Sequence, residues 1–242
     1  MSFLKNNLIY HVYFKIRYVL GRQNELQEEC TFYNKLLTEK KLIFDVGANH
    51  GDKTAPFSLI ANKVIAFEPD KANVEFLNFR FRYNKNVTIE DKALSSEIGT
   101  TQFYVVNPGS GLNTIDVKRK ELLDIDAGYI VSTTTLDAMI QTYGTPDFIK
   151  IDVEGHEIDV LSALSHPIKM LAFEANLPEF TQQTLACLDI ICDLDPKYMF
   201  NYGFNIGVER NDWLSLEEIK LFITSTDLTY LNIYCNIPSV GN

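Results

Sequence analysis

Residues 42–54 read Leu-Ile-Phe-Asp-Val-Gly-Ala-Asn-His-Gly-Asp-Lys-Thr, and this stretch decides the fold. The mostly apolar run at its start predicts a short buried strand, and Gly47 and Gly51 follow at a spacing of four. A polar segment that favours the start of a helix comes next. The stretch therefore predicts a strand, a tight turn and a helix. Such a turn brings backbone N–H groups to the edge of a sheet, where a small charged ligand can be held.

Strand and helix patterns alternate along most of the chain. Strands that alternate with helices are expected to be parallel and joined by right-handed crossovers, so the sequence predicts a doubly wound α/β sheet. The predicted strands lie at 42–46, 64–67, 87–90, 148–152, 170–174, 198–206 and 230–237. The predicted helices lie at 26–37, 53–61, 71–81, 136–143, 158–164, 178–193 and 214–223.

The alternation stops between residues 93 and 131. Residues 93–106 predict a hairpin that turns near 97–99. Residues 107–131 are rich in glycine and polar residues and have no strong period. Long irregular segments in compact domains often form lids or binding loops, so we expect this segment to recognise the acceptor substrate.

The charge of the chain argues against nucleic acid as a partner. The formal net charge of the 242 residues is -10, whereas a phosphate backbone needs clustered basic residues. The four cysteines form no C-x-x-C pair, so neither a disulfide framework nor a zinc site is predicted. No segment is long and apolar enough to span a bilayer, and we expect a cytoplasmic protein.

The first 22 residues differ from the rest in carrying four basic residues and no acidic one. Their apolar residues fall mostly at helical spacing, which predicts an amphipathic helix. This helix either packs on the domain or rests on an anionic membrane surface or a partner. We expect residues 1–40 to be a helical extension and residues 41–242 to be the α/β domain.

The turn after the first strand indicates a ligand without phosphate. A dinucleotide fold has the pattern G-x-G-x-x-G, in which the second glycine lets pyrophosphate approach the backbone. Asn49 occupies that position here, so pyrophosphate would meet a side chain. S-adenosylmethionine is a common ligand of this architecture. Glu68, at the end of the second strand, offers a carboxylate that can accept both ribose hydroxyls.

Four motifs in order resemble one known family. They are residues 44–51 (FDVGANHG), 67–69 (FEP), 93–95 (ALS) and 149–157 (IKIDVEGHE). Over residues 42–175 the chain is similar to the FkbM-type family of S-adenosylmethionine-dependent methyltransferases. The resemblance implies a class I methyltransferase Rossmann-like sheet. It also implies methyl transfer, usually to a hydroxyl of a sugar or a secondary metabolite.

The resemblance further implies which residues bind the donor. The turn residues would surround the methionine moiety, Glu68 would contact the ribose, and Asp91 or Lys92 would lie near the adenine. The implied donor-binding set is Asp45, Gly47, Ala48, Asn49, Gly51, Glu68, Asp91 and Lys92.

A second group of polar residues lies at the predicted ends of the fourth and fifth strands. Methyl transfer to a hydroxyl needs a group that removes the hydroxyl proton, and His156, Asp152 or Glu154 can act as this general base. Alternatively, Asp152, Glu174 and Asn176 bind Mg²⁺, which would hold the acceptor oxygen as in catechol-type O-methyltransferases. A third possibility is that these side chains only hydrogen-bond the turn.

Two further features have competing interpretations. Lys150 alternates with apolar residues in a buried strand and should pair with a carboxylate such as Asp45. The aromatic residues near the C-terminus either pack in the core or stack on the acceptor. They are Phe200, Tyr202, Phe204, Trp213 and Tyr234.

The leading functional prediction is an O-methyltransferase that acts on a glycan, a lipid-linked sugar or a secondary metabolite. One alternative is a methyltransferase that acts on the nitrogen of a small molecule. A second is a binding or scaffolding protein that keeps the fold without catalysis. A dehydrogenase is a third alternative, which Asn49 disfavours.

Overall fold

The computed structural model describes residues 20–204 and 206–238. The helix predicted for residues 1–22 lies almost wholly outside these ranges. The helices are α1 (Gln23–Leu36), α2 (Thr54–Ile60), α3 (Lys71–Arg80), α4 (Val117–Leu122), α5 (Leu136–Tyr143), α6 (Glu157–Ser162), α7 (Thr181–Leu194) and α8 (Leu216–Ser225). The strands are β1 (Leu42–Val46), β2 (Lys63–Phe67), β3 (Val87–Glu90), β4 (Ala93–Leu94), β5 (Gly99–Tyr104), β6 (Gly128–Thr134), β7 (Phe148–Ile151), β8 (Met170–Asn176), β9 (Met199–Gly203) and β10 (Tyr230–Asn236).

A seven-stranded sheet in the order β3-β2-β1-β7-β8-β10-β9 forms the centre of the domain. β1 is parallel to both β2 and β7, with Phe44 opposite Ile65 on one side and Ile149 on the other. β10 is antiparallel to both of its neighbours. The prediction of a doubly wound α/β sheet is confirmed. This topology brings the carboxyl ends of β1, β2, β7 and β8 to one edge.

The central strands are apolar because both faces of the sheet are covered. Every residue of β1 and β7 is buried. On one face, Tyr33 of α1 packs against Phe57 of α2 and Phe148 of β7, with ring centroids 4.7 and 5.9 Å apart. Buried aromatic rings contribute large apolar areas, so α1 is held firmly against the sheet.

The predicted hairpin at residues 93–106 is wrong. β4 and β5 do not pair with each other, because both pair with β6 in a separate three-stranded sheet. Thr133 of β6 lies opposite Ala93 in parallel register and opposite Gly99 in antiparallel register. β6 contains the strand-favouring residues Tyr129, Ile130 and Val131. It was not predicted because it overlaps the end of the aperiodic segment and its hydrogen-bonding partners come from distant positions in the chain.

The segment 107–131 is also more ordered than predicted. It contains the short helix α4, and the side chain of Asp116 accepts a hydrogen bond from the backbone N–H of Arg119 at the start of this helix. Such N-capping satisfies a backbone donor that would otherwise have no helical partner.

Most of the aromatic residues near the C-terminus pack against other parts of the domain. Phe200 and Tyr234 are buried in the core, and the ring of Tyr202 stacks on Phe222 at 3.9 Å. Trp213 packs on the cluster formed by α1, α2 and β7. The prediction of core packing therefore holds for these residues.

Helix length and polarity also bear on membrane insertion. Within residues 20–204 and 206–238, no helix has the length and apolar character needed to cross a bilayer.

Candidate active site

A cavity opens at the edge where the carboxyl ends of β1, β2, β7 and β8 meet. It encloses about 730 Å³ of space that is partly open to solvent. Residues at the ends of these strands form much of its wall, and residues 92–94 and 110–115 complete it. Small-molecule sites of α/β sheets are usually found at this edge. We call the part lined by β1, β2 and α3 the donor half, and the part lined by β7 and β8 the acceptor half.

The turn after β1 is held close to both neighbouring strands. The backbone N–H groups of Gly47 and Ala48 both donate to the carbonyl oxygen of Phe67, at 3.0 Å. Gly47 has a φ of 79°, and a Cβ atom there would lie 1.8 Å from the carbonyl oxygen of Asp152. Only glycine fits this position, because any side chain would collide with the backbone after β7.

Glu68 joins the turn after β1 to the start of α3. Its Oε2 accepts a hydrogen bond from the backbone N–H of Asn49 at 2.6 Å, and its Oε1 accepts one from Asp70 at 2.8 Å. Burial raises the pKa of Glu68 to about 7, although these backbone hydrogen bonds act in the opposite direction. The carboxylate therefore lies in the cavity wall in a fixed orientation.

Asn49 and Lys92 are two further predicted donor-binding residues that lie in the cavity wall. Asn49 has a φ of 48°, a left-handed conformation that asparagine tolerates better than most residues. Its side-chain Oδ1 is buried and has no hydrogen-bond partner within the described part of the chain. Lys92 Nζ pairs with Glu90 Oε2 at 2.6 Å.

Four predicted donor-binding residues lie outside the cavity wall: Asp45, Ala48, Gly51 and Asp91. Asp45 is buried beneath the turn, where its carboxylate accepts a hydrogen bond from the Thr54 hydroxyl. Burial raises the pKa of Asp45 to about 6. Ala48 is buried as well, whereas Asp91 is exposed. The structure thus gives Asp45 and Ala48 a place in supporting the turn.

Gly51 also lies outside the wall and has a packing role. Its φ is 78°, and a Cβ atom there would lie 2.7 Å from the Leu77 side chain and 2.6 Å from the Phe81 ring. The glycine therefore allows α3 and the residues after it to pack closely against the turn.

Three carboxylates meet in the acceptor half. Asp152 and Glu154 follow β7, and Glu174 lies on β8. One carboxylate oxygen from each lies within 4.8 Å of the other two. Neighbouring parallel strands end at the same edge, which explains how residues about 20 positions apart in the sequence converge.

A different residue interacts with each of the three carboxylates. Lys150 Nζ lies 3.5 Å from Asp152 Oδ2, and Asn176 Nδ2 donates to Glu174 Oε1 at 3.0 Å. Arg119 of α4 reaches Glu154 Oε2 with Nη2 at 2.5 Å.

The prediction that Lys150 pairs with a carboxylate is confirmed, but the partner is Asp152 and not Asp45. Asp45 lies opposite Lys150 in the register of β1 and β7, but it takes the Thr54 hydroxyl as its partner. Asp152 follows Lys150 by two residues and so starts from the same face of the chain. Its carboxylate therefore receives the buried ammonium group.

The environment of this cluster raises two carboxyl pKa values. Burial and, to a smaller extent, the adjacent Asp152 raise the pKa of Glu154 to about 7, although Arg119 acts in the opposite direction. Burial also holds the pKa of Glu174 well above its ordinary value, and the adjacent Asp152 adds to this effect. Burial and the neighbouring negative charge therefore make Glu154 and Glu174 bind a proton more tightly than they would in water.

The turn that carries Glu154 is strained and is held from below. Glu154 has a φ of 55°, a conformation that is uncommon outside glycine. Glu157 Oε1 accepts hydrogen bonds from the backbone N–H groups of Val153 at 3.2 Å and Gly155 at 3.3 Å. Thr114 donates its hydroxyl to the carbonyl oxygen of Glu154 at 3.0 Å. These contacts fix the Glu154 side chain toward the cavity wall.

His156 does not form part of the cavity wall. Its Nε2 lies 3.1 Å from the hydroxyl oxygen of Ser95, and its Nδ1 lies 3.1 Å from Asp159. Burial lowers the pKa of His156. Of the predicted general bases, the structure thus brings Asp152 and Glu154 to the cavity and leaves His156 behind it.

Residues 107–115 lie over the donor half and are attached to it by Asp70. Asp70 Oδ1 accepts a hydrogen bond from the backbone N–H of Ala72 at 2.7 Å and so caps α3, as its sequence position predicts. Asp70 Oδ2 accepts from Asn113 Nδ2 at 2.6 Å and from the N–H of Gly109 at 3.3 Å.

Sequence reasoning predicted a binding role for residues 107–131, but it did not identify Asn113, Thr114 or Arg119. Their partners lie about 35 to 43 residues away. No local pattern of residues marks such contacts.

One family model matches more than half of the chain. Residues 45–206 match the model described as "Methyltransferase FkbM domain". No curated protein sequence matches the chain.

Several solved structures are similar to this chain. A precorrin-6y C5,15-methyltransferase from Geobacter metallireducens has a TM-score of 0.48 and 11% identity, with 90% of this chain and 89% of that chain covered. An S-adenosylmethionine-dependent O-methyltransferase from Thermotoga maritima has a TM-score of 0.44 and 12% identity, with 88% and 66% covered. An rRNA methylase from Streptococcus thermophilus has a TM-score of 0.45 and 11% identity, with 87% and 94% covered.

Proposed function

Because the chain belongs to the FkbM methyltransferase family and is an S-adenosylmethionine-dependent methyltransferase, we propose that it methylates a hydroxyl group of a sugar, a glycan or a similar polyhydroxylated metabolite. The observation that carries this proposal is the single cavity in which the donor half faces a cluster of three carboxylates.

The donor half fits S-adenosylmethionine in charge and in hydrogen-bonding capacity. Asn49 Oδ1 is a buried acceptor without a partner in the described chain, and it can receive an N–H or O–H group of a ligand. Glu68 offers lone pairs to hydroxyl groups. Asn49 and Glu68 are therefore our proposed donor-binding residues, with Lys92 at the edge of the same wall. When bound, S-adenosylmethionine supplies a methyl group activated by a positively charged sulfur.

The acceptor half favours a ligand that is rich in hydrogen-bond donors. Lys150 pairs with Asp152, Arg119 pairs with Glu154, and Glu174 accepts from Asn176 and lies beside Asp152. An ionised carboxylate has about four lone-pair sites, more than these partners occupy. The remaining sites can accept hydrogen bonds from neighbouring hydroxyl groups. A sugar presents several such groups on one face.

We assign the role of general base to Glu154. Its pKa is raised to about 7, close to the pH at which an intracellular enzyme works, and such a base transfers protons efficiently. Arg119 binds Oε2, which leaves Oε1 to take the proton of the acceptor hydroxyl. Asp152 then accepts a hydrogen bond from the acceptor and holds it between Glu154 and the turn at Gly47.

The cluster fits a metal ion less well. Asp152 and Glu154 are already paired with the cationic groups of Lys150 and Arg119, which would repel a divalent cation. Asn176, which the sequence predicted as a ligand, uses its amide nitrogen to donate to Glu174. We therefore propose that methyl transfer proceeds without Mg²⁺.

The same acidic cluster favours one competing function. Carboxylates that attract hydroxyl groups also attract an ammonium group, so the acceptor of a rival enzyme would be a small amine. Such an acceptor would be methylated on nitrogen.

The test is transfer of a labelled methyl group from S-adenosylmethionine into a fractionated extract of the source cells, with and without EDTA. We expect label in the saccharide or polar-metabolite fraction as an alkali-stable methyl ether, with equal yield in EDTA. Label in methylated amines would contradict O-methylation, and loss of transfer in EDTA would contradict the metal-independent mechanism.

A further inference from the structure

We propose that Asn73 of α3 is a donor-binding residue whose side-chain carbonyl accepts a hydrogen bond from a ribose hydroxyl of S-adenosylmethionine. This inference rests on the proposed donor half and adds a residue that none of the sequence motifs contains. It concerns recognition of the donor only and is independent of the acceptor.

Asn73 has a side chain that the fold of the protein alone does not satisfy. The residue is 2% exposed and lies in the cavity wall. Its Oδ1 has no hydrogen-bond partner among the described residues. A buried acceptor without a partner is costly, because it has lost its hydrogen bonds to water. Such a group at the wall of a binding cavity indicates a partner on the ligand.

The orientation of the Asn73 amide follows from its neighbour. The Asn73 side chain lies close enough to the Glu68 carboxylate to lower the pKa of Glu68, although burial has the larger effect and raises it. A carboxylate that accepts hydrogen bonds at both oxygens must face the amide nitrogen of Asn73 and not its carbonyl. The carbonyl oxygen is therefore the end of the side chain that remains for a ligand.

Residues 107–115 limit the access of water to this oxygen. A Cβ atom added at Gly109 would lie 3.3 Å from Asn73 Oδ1, so the backbone of this segment passes directly over it. Asp70 holds the segment in place, because its carboxylate accepts hydrogen bonds from Gly109 and Asn113. With this segment in place, no described residue donates a hydrogen bond to Asn73 Oδ1, and a ligand bound in the cavity that Asn73 lines can supply one.

A ribose hydroxyl matches the position of this acceptor. Both oxygens of Glu68 already accept a backbone N–H, which leaves fewer of its lone pairs for the two adjacent hydroxyls of a ribose. Asn73 supplies a second acceptor beside that carboxylate. Together the two side chains provide one acceptor for each hydroxyl.

Calorimetry with S-adenosylhomocysteine as the probe tests this proposal without depending on activity. We compare wild type with Asn73→Leu, which replaces the amide with an apolar side chain of similar size. Asn78→Leu is the matched control, since Asn78 lies on the same helix and is exposed. We expect Kd for Asn73→Leu to rise about tenfold, the usual effect of losing one buried hydrogen bond, while Kd for Asn78→Leu is unchanged.

Analogues of S-adenosylhomocysteine identify the group that Asn73 contacts. Each protein is titrated with analogues that lack the 2′-hydroxyl, the 3′-hydroxyl or the 6-amino group. We expect the difference between wild type and Asn73→Leu to disappear for one of the two deoxy analogues and to persist for the deamino analogue. Asn73→Ala replaces Asn73→Leu if the larger side chain prevents folding, as judged by circular dichroism.

Two results would overturn the proposal. Unchanged affinity of both Asn73 variants for S-adenosylhomocysteine would show that the residue does not bind the donor. A difference that persists for both deoxy analogues, or that disappears with the deamino analogue, would exclude the ribose contact. Failure of wild type to bind S-adenosylhomocysteine would instead refute the donor half itself, so the two failures are distinguishable.

Discussion

The donor half and the acceptor half of the cavity are built by different means. In the donor half, backbone N–H groups of the turns after β1 and β2 hold the single carboxylate of Glu68. In the acceptor half, the side chains of Lys150, Arg119 and Asn176 hold three carboxylates. One half is thus organised by the backbone and the other by pairs of side chains.

Because backbone groups organise one half and side chains organise the other, substitutions affect the two halves differently. The contact between Asn49 and Glu68 spans 19 residues, a single strand–helix–strand unit, and its donor is a backbone N–H that only a substitution by proline removes. The contact between Arg119 and Glu154 spans 35 residues and joins the segment 107–131 to the turn after β7 of the central sheet. A substitution in α4 can therefore alter acceptor recognition while the donor half and the fold stay intact. The following predictions test that separation, beginning with the largest expected effect.

Glu154→Gln should separate chemistry from donor binding. Removal of a general base lowers rates by about 10²–10⁴-fold, so we expect labelled methyl transfer to fall by about 10³-fold. Affinity for S-adenosylhomocysteine should not change, because Glu154 lies in the acceptor half. Glu154 must lose its proton to act as a base, and its pKa is raised to about 7. The wild-type rate should therefore rise as the pH increases through about 7, and the variant should lack this rise.

Glu121→Gln is the matched control for that experiment, since Glu121 is exposed on α4. It should retain wild-type transfer. If Glu154→Gln weakened S-adenosylhomocysteine binding in proportion to the rate, the two halves would not be separable.

Glu68→Gln should have the converse effect. The amide can accept only one of the two backbone N–H groups that the carboxylate now accepts, so the turn at Asn49 or the start of α3 loses a partner. We expect Kd for S-adenosylhomocysteine in calorimetry to rise about tenfold. Methyl transfer at saturating donor should stay within a few-fold of wild type. Glu75→Gln, an exposed change on α3, is the control, and an unchanged Kd for Glu68→Gln would refute the role of Glu68.

The smallest effect concerns stability and pH. Burial raises the pKa of Glu157 from 4.5 to about 7, so the folded protein binds a proton there more tightly than the unfolded chain does. This contribution to stability is complete below pH 4.5 and is lost as the pH rises through about 7. Glu157→Gln removes the titration and keeps an oxygen that can accept from Val153 and Gly155.

Thermal unfolding by circular dichroism measures this contribution. Between about pH 5.5 and about pH 8, Tm should fall by several degrees more in wild type than in Glu157→Gln. His50 and His156, whose pKa values are lowered, act in the opposite direction, but they are common to both proteins. An equal change of Tm in the two proteins would contradict the assignment.

The predicted parts of the fold were those with a strong local pattern. The buried apolar runs of β1, β2 and β7 and the cap at Asp70 follow from short-range rules of burial and hydrogen bonding. β6 was missed because it overlaps the end of the aperiodic segment 107–131 and its pairing partners lie in β4 and β5. Strand pairing depends on which segments meet in the folded chain, and the sequence of one short strand does not identify its partners.

The candidate site shows the same division. Gly47, Asn49 and Glu68 were predicted from their order after two strands, and all three lie in the cavity wall. Asp45 and Gly51, from the same motif, instead support and pack the turn. The motif marks the turn as a unit, but spacing does not reveal which of its side chains face the cavity.

By itself, the sequence determined the α/β sheet, the turn after β1 and the family to which the chain belongs. These depend on runs of neighbouring residues, whose apolar periodicity and backbone preferences act locally. Only the tertiary structure decided that Lys150 pairs with Asp152, that Arg119 reaches Glu154 and that the Asn73 side-chain oxygen has no partner among residues 20–204 and 206–238. Charge pairing and burial depend on distances in space between separate segments, and those distances exist only after the chain has folded.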